Sequence, residues 1–381
     1  MEQNNDPILE HAKYRGKIHI ESNAALTEAS LATFYTPGVA AVSRELAGKP
    51  ERARELTSAA GAVAVVSDGS AVLGLGNVGP QAALPVMEGK AMLFRELGGV
   101  NAWPIVLSTQ DPDEIVQAVR AIAPGFGGIN LEDIAAPGCF EIERRLQAEL
   151  DIPVVHDDQH ATAIVVLAGM YNALKVVGKQ LSDVRVVVNG AGAAGSGIAR
   201  LIHQAGVRQL AVVDSRGILS TDRDDLRGEK AELAKLSRAT ENGGLAEAAR
   251  GADVLIGVSV AGAFTPQIIQ GMNSDPIVFA LANPEPEILP EDAKTAGVSV
   301  MATGRSDFPN QINNVLVFPG LFRGLMDAHK NTVSSNDKLR VAKALAGLID
   351  APRAEHIIPD VFDSRVSMCV AAAITGDTIE A

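Results

Sequence analysis

Short apolar runs alternate with longer stretches of helical periodicity along most of the chain. AVAVVS (62–67), WPIVLST (103–109), GGINLED (127–133) and IPVVHDD (152–158) read as buried strands in the first half. VRVVVN (184–189), QLAVVDS (209–215), ADVLIGVS (252–259), PIVFALAN (276–283) and VSVMATG (298–304) do so in the second. Such runs, bounded by turn residues and too short for helices, fit strands with both faces covered. Between them the pattern predicts a helix through MEGKAMLFRELGG, one opening at Asp111-Pro112, one from Phe140 to Leu150 and a long apolar one from about Ala161 to Val177. AVAVVS and AVLGLG flank an Asp68-Gly69-Ser70 turn and read as a hairpin.

Strand and helix alternating in this way imply parallel sheets and an α/β fold. The expected organisation is an N-terminal α/β domain over residues 1–157, followed over 158–381 by a Rossmann-like, doubly wound dinucleotide-binding domain with C-terminal helices. No Pro/Gly/Ser-rich linker separates them, so the halves should dock closely. At 381 residues and 47% hydrophobic content, the chain has ample material for two cores.

Charge and cysteine usage narrow the class. A net charge of −13, without a basic stripe, argues against a nucleic-acid surface. Two cysteines, Cys139 and Cys369, are too few for a disulfide framework and lack metal-binding spacing, which points to a reducing compartment. The first residues lack the apolar segment of a signal peptide, and no apolar run approaches the ~20 residues of a membrane span. The expectation is a cytoplasmic protein with a small-molecule substrate, no membrane and no nucleic-acid partner.

The most specific chemistry lies in NGAGAAGSG. Gly190, Gly192 and Gly195 form G-x-G-x-x-G between a strand and a helix, with Ala191, Ala193 and Ala194 filling the turn. The first glycine permits the turn, the second lets backbone approach a pyrophosphate, and the third lets helix pack on strand. Asp214, 24 residues after Gly190 at the end of the next strand, is placed to reach an adenosine ribose. Acids also close two strands of the first half: Glu132 and Asp133, then Asp157 and Asp158. Ligands bind beyond the carboxyl ends of strands in such sheets, and oxygen-only donors suit Mg²⁺ or Mn²⁺. Alternatively, Asp157 or Asp158 caps the next helix, and Glu132 with Asp133 forms a solvated turn. The H-x-x-x-H spacing of His156 and His160 suggests zinc, but Asp157 stands where a metalloprotease has Glu, and the segment reads as a strand end.

Several segments converge at this point on one family. FYTPGVA, VSDGSAVLGLGNVGP, PVMEGKAMLF, NLEDI, HDDQHATA, the glycine-rich turn, ALANPEPEI and QINNVLVFPG stand in this order, and together they resemble the malic enzymes of the short bacterial type. The resemblance implies oxidation and decarboxylation of L-malate to pyruvate and CO₂ with NAD or NADP and Mg²⁺ or Mn²⁺. It makes Glu132, Asp133 and Asp158 metal ligands, Lys90 the general base, and Tyr35 the general acid that protonates C3. Asn283 would contact the nicotinamide ribose and malate, and Asn314, beside Asn313, a malate carboxylate. From residues alone Lys90 reads as a surface lysine and Tyr35 as a half-buried aromatic, which only the resemblance reverses, and the asparagines are equally turn or cap residues.

A lysine base requires its pKa to be lowered from ~10.4, by the metal, by burial or by both. The family also implies a homodimer or higher homo-oligomer, with a site that a neighbouring subunit can complete. Cofactor preference leans to NADP: Asp214 ordinarily favours NAD, but Arg216 or Arg223 could hold a 2′-phosphate. Two departures stand out. Ala71 occupies the place of a substrate-pairing arginine in longer malic enzymes, and Ala161 that of a more usual glycine. Alternatives on the same residues are an oxaloacetate decarboxylase or malolactic activity. An inactive nucleotide-binding regulatory protein and a generic amino-acid dehydrogenase complete the field.

Overall fold

A computed structural model of the chain describes residues 6–14, 16–72, 74–237 and 243–377. Among the described residues ten strands form two sheets. β1 (Ala62–Ser67), β2 (Asn101–Val106), β3 (Gly128–Leu131) and β4 (Val154–His156) form a parallel sheet in the order β2-β1-β3-β4. β5 (Arg185–Asn189), β6 (Gln209–Asp214), β7 (Gly217–Ile218), β8 (Val254–Gly257), β9 (Ile277–Ala280) and β10 (Val300–Thr303) form the second, in the order β10-β9-β8-β5-β6-β7. Only the short β7 runs antiparallel there. Burial explains the apolar runs: β1, β3, β4, β8 and β9 are covered along their whole length.

The expected hairpin is not formed. β1 is an inner strand flanked by β2 and β3, so an antiparallel partner has no free edge to join. The chain instead turns at Gly69 (φ +70°), whose carbonyl accepts from the N–H groups of Val78 and Gly79. Of AVLGLG, Val72 makes only an isolated bridge to Gly76, and Leu73 lies outside the described residues.

The helix through MEGKAMLFRELGG begins earlier than its apolar pattern suggests, at Pro80, and runs Pro80–Gly98. The Asp111 carboxylate caps Pro112–Ile122 by accepting from Asp113 and Glu114 N–H. The long apolar helix is Asp157–Val177, so the expected division at 157/158 falls in its first turn. Its length and hydropathy would suit a membrane span, but 67% of its most apolar 18-residue window is buried. Its residues share one core with Val63, Val65 and Val155 of the first sheet and Val186, Val188, Ile256 and Phe279 of the second. A helix apolar all round is a core helix, and here it joins the two sheets.

The N-terminal segment differs from the two sheets that follow it. The helices Pro7–Tyr14, Glu28–Phe34 and Val39–Gly48 contain no buried residue, although Ile8, Leu9, Leu26, Leu31 and Phe34 are apolar and 46–79% exposed.

Candidate functional site

The carboxyl ends of both sheets open onto one cleft of about 840 Å³. From the first sheet come Glu132 and Asp133, just after β3, and Asp158, in the first turn of Asp157–Val177. From the second come Gly192, Ala193, Ala194 and Gly195, then Ser259 after β8 and Leu281 to Asn283 after β9. The Pro80–Gly98 helix contributes Lys90, and the loop after β10 contributes Asn313 and Asn314.

Glu132, Asp157 and Asp158 offer carboxylate oxygens that lie within 4.8 Å of one another. Asp157 Oδ1 is buried without a hydrogen-bond partner. Three oxygen donors so close suit a hard divalent cation, with no thiolate in the set to favour a softer one. Asp133 lines the same cleft in a left-handed conformation (φ +53°), and its N–H donates to Asp158 Oδ2 at 3.0 Å. Asp157, weighed from sequence as a possible cap, is therefore a central member of the cluster.

Lys90 is fixed among these acids. Its Nζ lies 2.6 Å from Asp157 Oδ2 and 2.8 Å from Glu132 Oε1, 3.5 Å from Asn314 Oδ1 and 4.1 Å above the centre of the Phe318 ring. Burial disfavours its charge, but the carboxylates of Asp157, Glu132 and Asp158 outweigh burial and hold the ammonium well above the ordinary lysine value. Burial alone therefore does not supply the lowered value that a lysine base requires. Three acids around one buried lysine stabilise its charged form. The same crowding, added to burial, pushes Glu132 and Asp158 above the usual carboxylate range. Lys90 holds Asp157 below that range, against the opposing effect of burial.

Behind the cluster lies a buried group that sequence reasoning missed. Glu143, 7% exposed, accepts from the His156 N–H at 2.8 Å, from Gln159 Nε2 at 3.3 Å and from His160 Nε2 at 2.9 Å. Lys338 Nζ lies 2.8 Å from His160 Nδ1. Glu143 thus pins both sides of the Asp157-Asp158 pair. Its signal was a single acid on the buried face of the Gly138–Glu149 helix, among Cys139, Ile142 and Leu146. This network also accounts for His160, the second histidine of the zinc-like spacing.

On the nucleotide side, Gly190 has φ +119°, and a Cβ there would lie 2.5 Å from the Val258 carbonyl oxygen. A Cβ on Gly195 would strike the Gly190 carbonyl, whereas Gly192 faces open space, which leaves its backbone accessible to a ligand. The strand ends are tied together below the turn. Asn189 Nδ2 donates to Ser259 Oγ at 2.8 Å, and Ser259 N–H donates to Glu287 Oε1 at 2.8 Å. Ala282 N–H donates to Glu287 Oε2 at 3.0 Å. Glu287 is completely buried and therefore couples the loops after β5, β8 and β9. Asn313 caps the turn Asn314–Leu316 by accepting from Val315 N–H, which leaves Asn314 as the asparagine turned toward Lys90.

Asp214 lines a second recess of about 700 Å³, together with Gly190, Ala191, Gly192 and Lys230. Its carboxylate is already engaged: Arg223 lies 2.8 Å away, Lys230 2.7 Å and the Arg216 N–H 3.0 Å. Despite partial burial, these donors pull its pKa down to about 2. The Arg216 guanidinium pairs with Asp225 and is 72% exposed. Tyr35 is not brought to the cleft. It closes the Glu28–Phe34 helix, is 67% exposed and is absent from the cleft lining.

Two parallel sheets, a glycine-rich dinucleotide turn and a facing lysine–carboxylate cluster define an α/β oxidoreductase of the dinucleotide-dependent class. Comparison with known proteins names the family. Residues 160–379 match the malic enzyme NAD-binding domain, and residues 15–111 and 108–147 match the malic enzyme N-terminal domain. The chain belongs to the malic enzyme family. It is 49% identical over 377 residues to the bifunctional malic/malolactic enzyme of Bacillus subtilis, covering 97% of this chain and 92% of that one. It is 52% identical over 363 residues to an NAD-dependent malic enzyme of Geobacillus stearothermophilus, covering 94% and 76%. The crystal structure of an NAD-dependent malic enzyme from Thermotoga maritima superposes with a TM-score of 0.94 at 45% identity, over 98% of this chain and all of that one.

Proposed function

We propose that this protein oxidises and decarboxylates L-malate to pyruvate and CO₂ with NAD⁺ or NADP⁺. The observation that carries the reading is Lys90, held between Asp157, Glu132 and Asn314 across the cleft from the dinucleotide turn. Glu132, Asp133 and Asp158, with Asp157 beside them, would hold Mg²⁺ or Mn²⁺, which when bound polarises the C2 oxygen of malate. Gly190 to Gly195 bind the pyrophosphate through backbone N–H groups at the helix N-terminus. Asn283 orients the nicotinamide ribose and malate, and Asn314 a malate carboxylate. A cation held by these acids would offset the charge that keeps Lys90 protonated, and the neutral Lys90 Nζ would then take the proton of the C2 hydroxyl as hydride leaves C2 for the nicotinamide. It retains that proton while the C4 carboxylate departs as CO₂. The Tyr35 hydroxyl then supplies a proton to C3 of the enolate, giving pyruvate.

Tyr35 reaches that position from a second copy of the chain. The N-terminal helices that carry it bury nothing within their own chain, and their exposed apolar side chains need a partner surface. In this reading residues 1–157 form the catalytic unit and 158–381 the nucleotide unit, in a homodimer or larger assembly acting in the cytoplasm.

For the cofactor we lean to NADP. Arg223 and Lys230 offset the Asp214 charge that would otherwise repel a 2′-phosphate, and Arg216 stands at the same edge. Arg216→Ala should raise the KM for NADP⁺ much more than that for NAD⁺, and equal effects would remove its role.

Purified protein assayed with L-malate, Mg²⁺ or Mn²⁺, and NAD⁺ against NADP⁺ should accumulate reduced cofactor and pyruvate together. No reduced cofactor with either nucleotide overturns the reading. The bifunctional Bacillus subtilis relative favours one alternative: lactate formed without free reduced cofactor marks a malolactic reaction on the same residues.

A further inference from the structure

The cleft must hold the second carboxylate of its substrate without the arginine that Ala71 replaces. Ala71 lines the cleft and offers no charge. Three basic residues line it among the described residues: His11, Lys17 and Lys90. Lys90 is committed to Glu132 and Asp157. His11 is exposed, and its Nδ1 is bonded to the Pro7 carbonyl of its own helix.

Lys17 is left, and it is anchored in place. Its backbone N–H donates to Glu88 Oε2 at 3.1 Å, and its Nζ donates to the Pro85 carbonyl at 2.6 Å. Both anchors belong to the Pro80–Gly98 helix that carries Lys90. A Cβ built on Gly89 would lie 3.9 Å from Lys17 Nζ, an ordinary van der Waals contact, so the ammonium rests over the residue next to Lys90. An ammonium has three donors. One is used by Pro85, and two remain for a ligand.

We propose that Lys17 supplies the cation absent at Ala71 and binds the substrate carboxylate remote from the acid cluster, which selects a dicarboxylate over a 2-hydroxy monocarboxylate. The assignment rests on the malate reading and adds its specificity determinant. The acid cluster and its cation account for the hydroxyl and one carboxylate, which any 2-hydroxy acid has. Only the remaining carboxylate distinguishes malate from lactate, and a positioned ammonium is the donor chemistry that recognises it.

The test is calorimetric binding of L-malate and L-lactate to the full-length Mg²⁺-loaded protein, alongside the KM for malate and for NAD(P)⁺. Lys17→Met should weaken malate binding by about ten- to a hundredfold, the loss expected for one charge-assisted hydrogen bond. Lactate binding and the KM for NAD(P)⁺ should stay unchanged, and Lys17→Arg should recover most of the malate affinity. Should Lys17→Met melt early, Lys17→Gln, which retains a donor for Pro85, carries the same comparison. Unchanged malate binding in variants that keep their melting temperature overturns the assignment. A wild-type protein that does not prefer malate to lactate, and reduces neither nucleotide in its presence, overturns the malate reading itself.

Discussion

Lys90 and Tyr35 are the two groups assigned to proton transfer, and the fold treats them in opposite ways. Lys90 is 7% exposed and touches two carboxylates, an asparagine and an aromatic ring. Tyr35 is 67% exposed on a segment whose helices bury no residue. The contrast shows how far a single chain goes in building its site. A single chain assembles Lys90, the acid cluster and the nucleotide turn, because all three sit at strand ends or on helices held by a continuous core. In the proposed mechanism the proton donor to C3 lies on an arm whose helices bury no residue, and a second copy of the chain would position it.

The sharpest way to break this comparison is at its buried pole. Lys90→Ala should lower malate oxidation by about 10²–10⁴-fold or more, while reduced-nucleotide fluorescence still reports nearly normal binding. Appreciable turnover would remove Lys90 as base. The exposed pole has a different test. Tyr35→Phe should chiefly impair enolpyruvate tautomerisation. Mixing it with Lys90→Ala after dissociation and reassembly should regain a substantial fraction of wild-type activity, since a mixed dimer holds one site with both groups intact. Activity no higher than the sum of the separate variants would place the tyrosine and lysine in the same chain.

A smaller effect is expected behind the acids. Glu143→Ala leaves the His156 N–H and the His160 ring without their acceptor in a buried setting, a loss of about 1–3 kcal/mol. It should lower the melting temperature and weaken Mn²⁺ binding measured directly by titration, and unchanged Mn²⁺ affinity would make Glu143 a purely structural residue. The smallest effect concerns Asp214. Its folded-state pKa, about 2, lies below the unfolded value of about 3.9. The stabilisation from its pairing is therefore complete above pH ~4 and lost as pH falls toward 2. Asp214→Asn should flatten the acid limb of a melting-temperature profile between pH 5 and 2. An unaltered limb would show that Arg223 and Lys230 contribute nothing there to stability.

Much of this was legible along the chain because it depends on local pattern. Nine of the ten described strands were readable as apolar runs, although β2 is only half-buried and the short β7 gave no such run, and Asp111-Pro112 was readable as a helix start. The glycine spacing was readable as a turn whose backbone accepts a phosphate. The hairpin failed because strand partnership is non-local: AVAVVS has the composition of any buried strand, and only the packing of β2 and β3 on its two edges excludes AVLGLG. Glu143 and Glu287 were invisible for a related reason. Each is an ordinary acid in sequence, and its role comes from N–H groups delivered by other segments, His156 to Glu143 and Ser259 with Ala282 to Glu287.

The sequence by itself determined the α/β class, the dinucleotide turn, the acids at strand ends and the resemblance to malic enzymes, because strand burial, backbone freedom at glycine and motif order are properties of short segments. The tertiary structure alone decided that Asp157 joins Glu132 and Asp158, that these acids hold Lys90 charged, that Lys17 stands over Gly89, and that Tyr35 remains outside the cleft of its own chain. Charges interact through space and lose strength with distance and water, so their partners are set by which strand ends and helices the fold brings together.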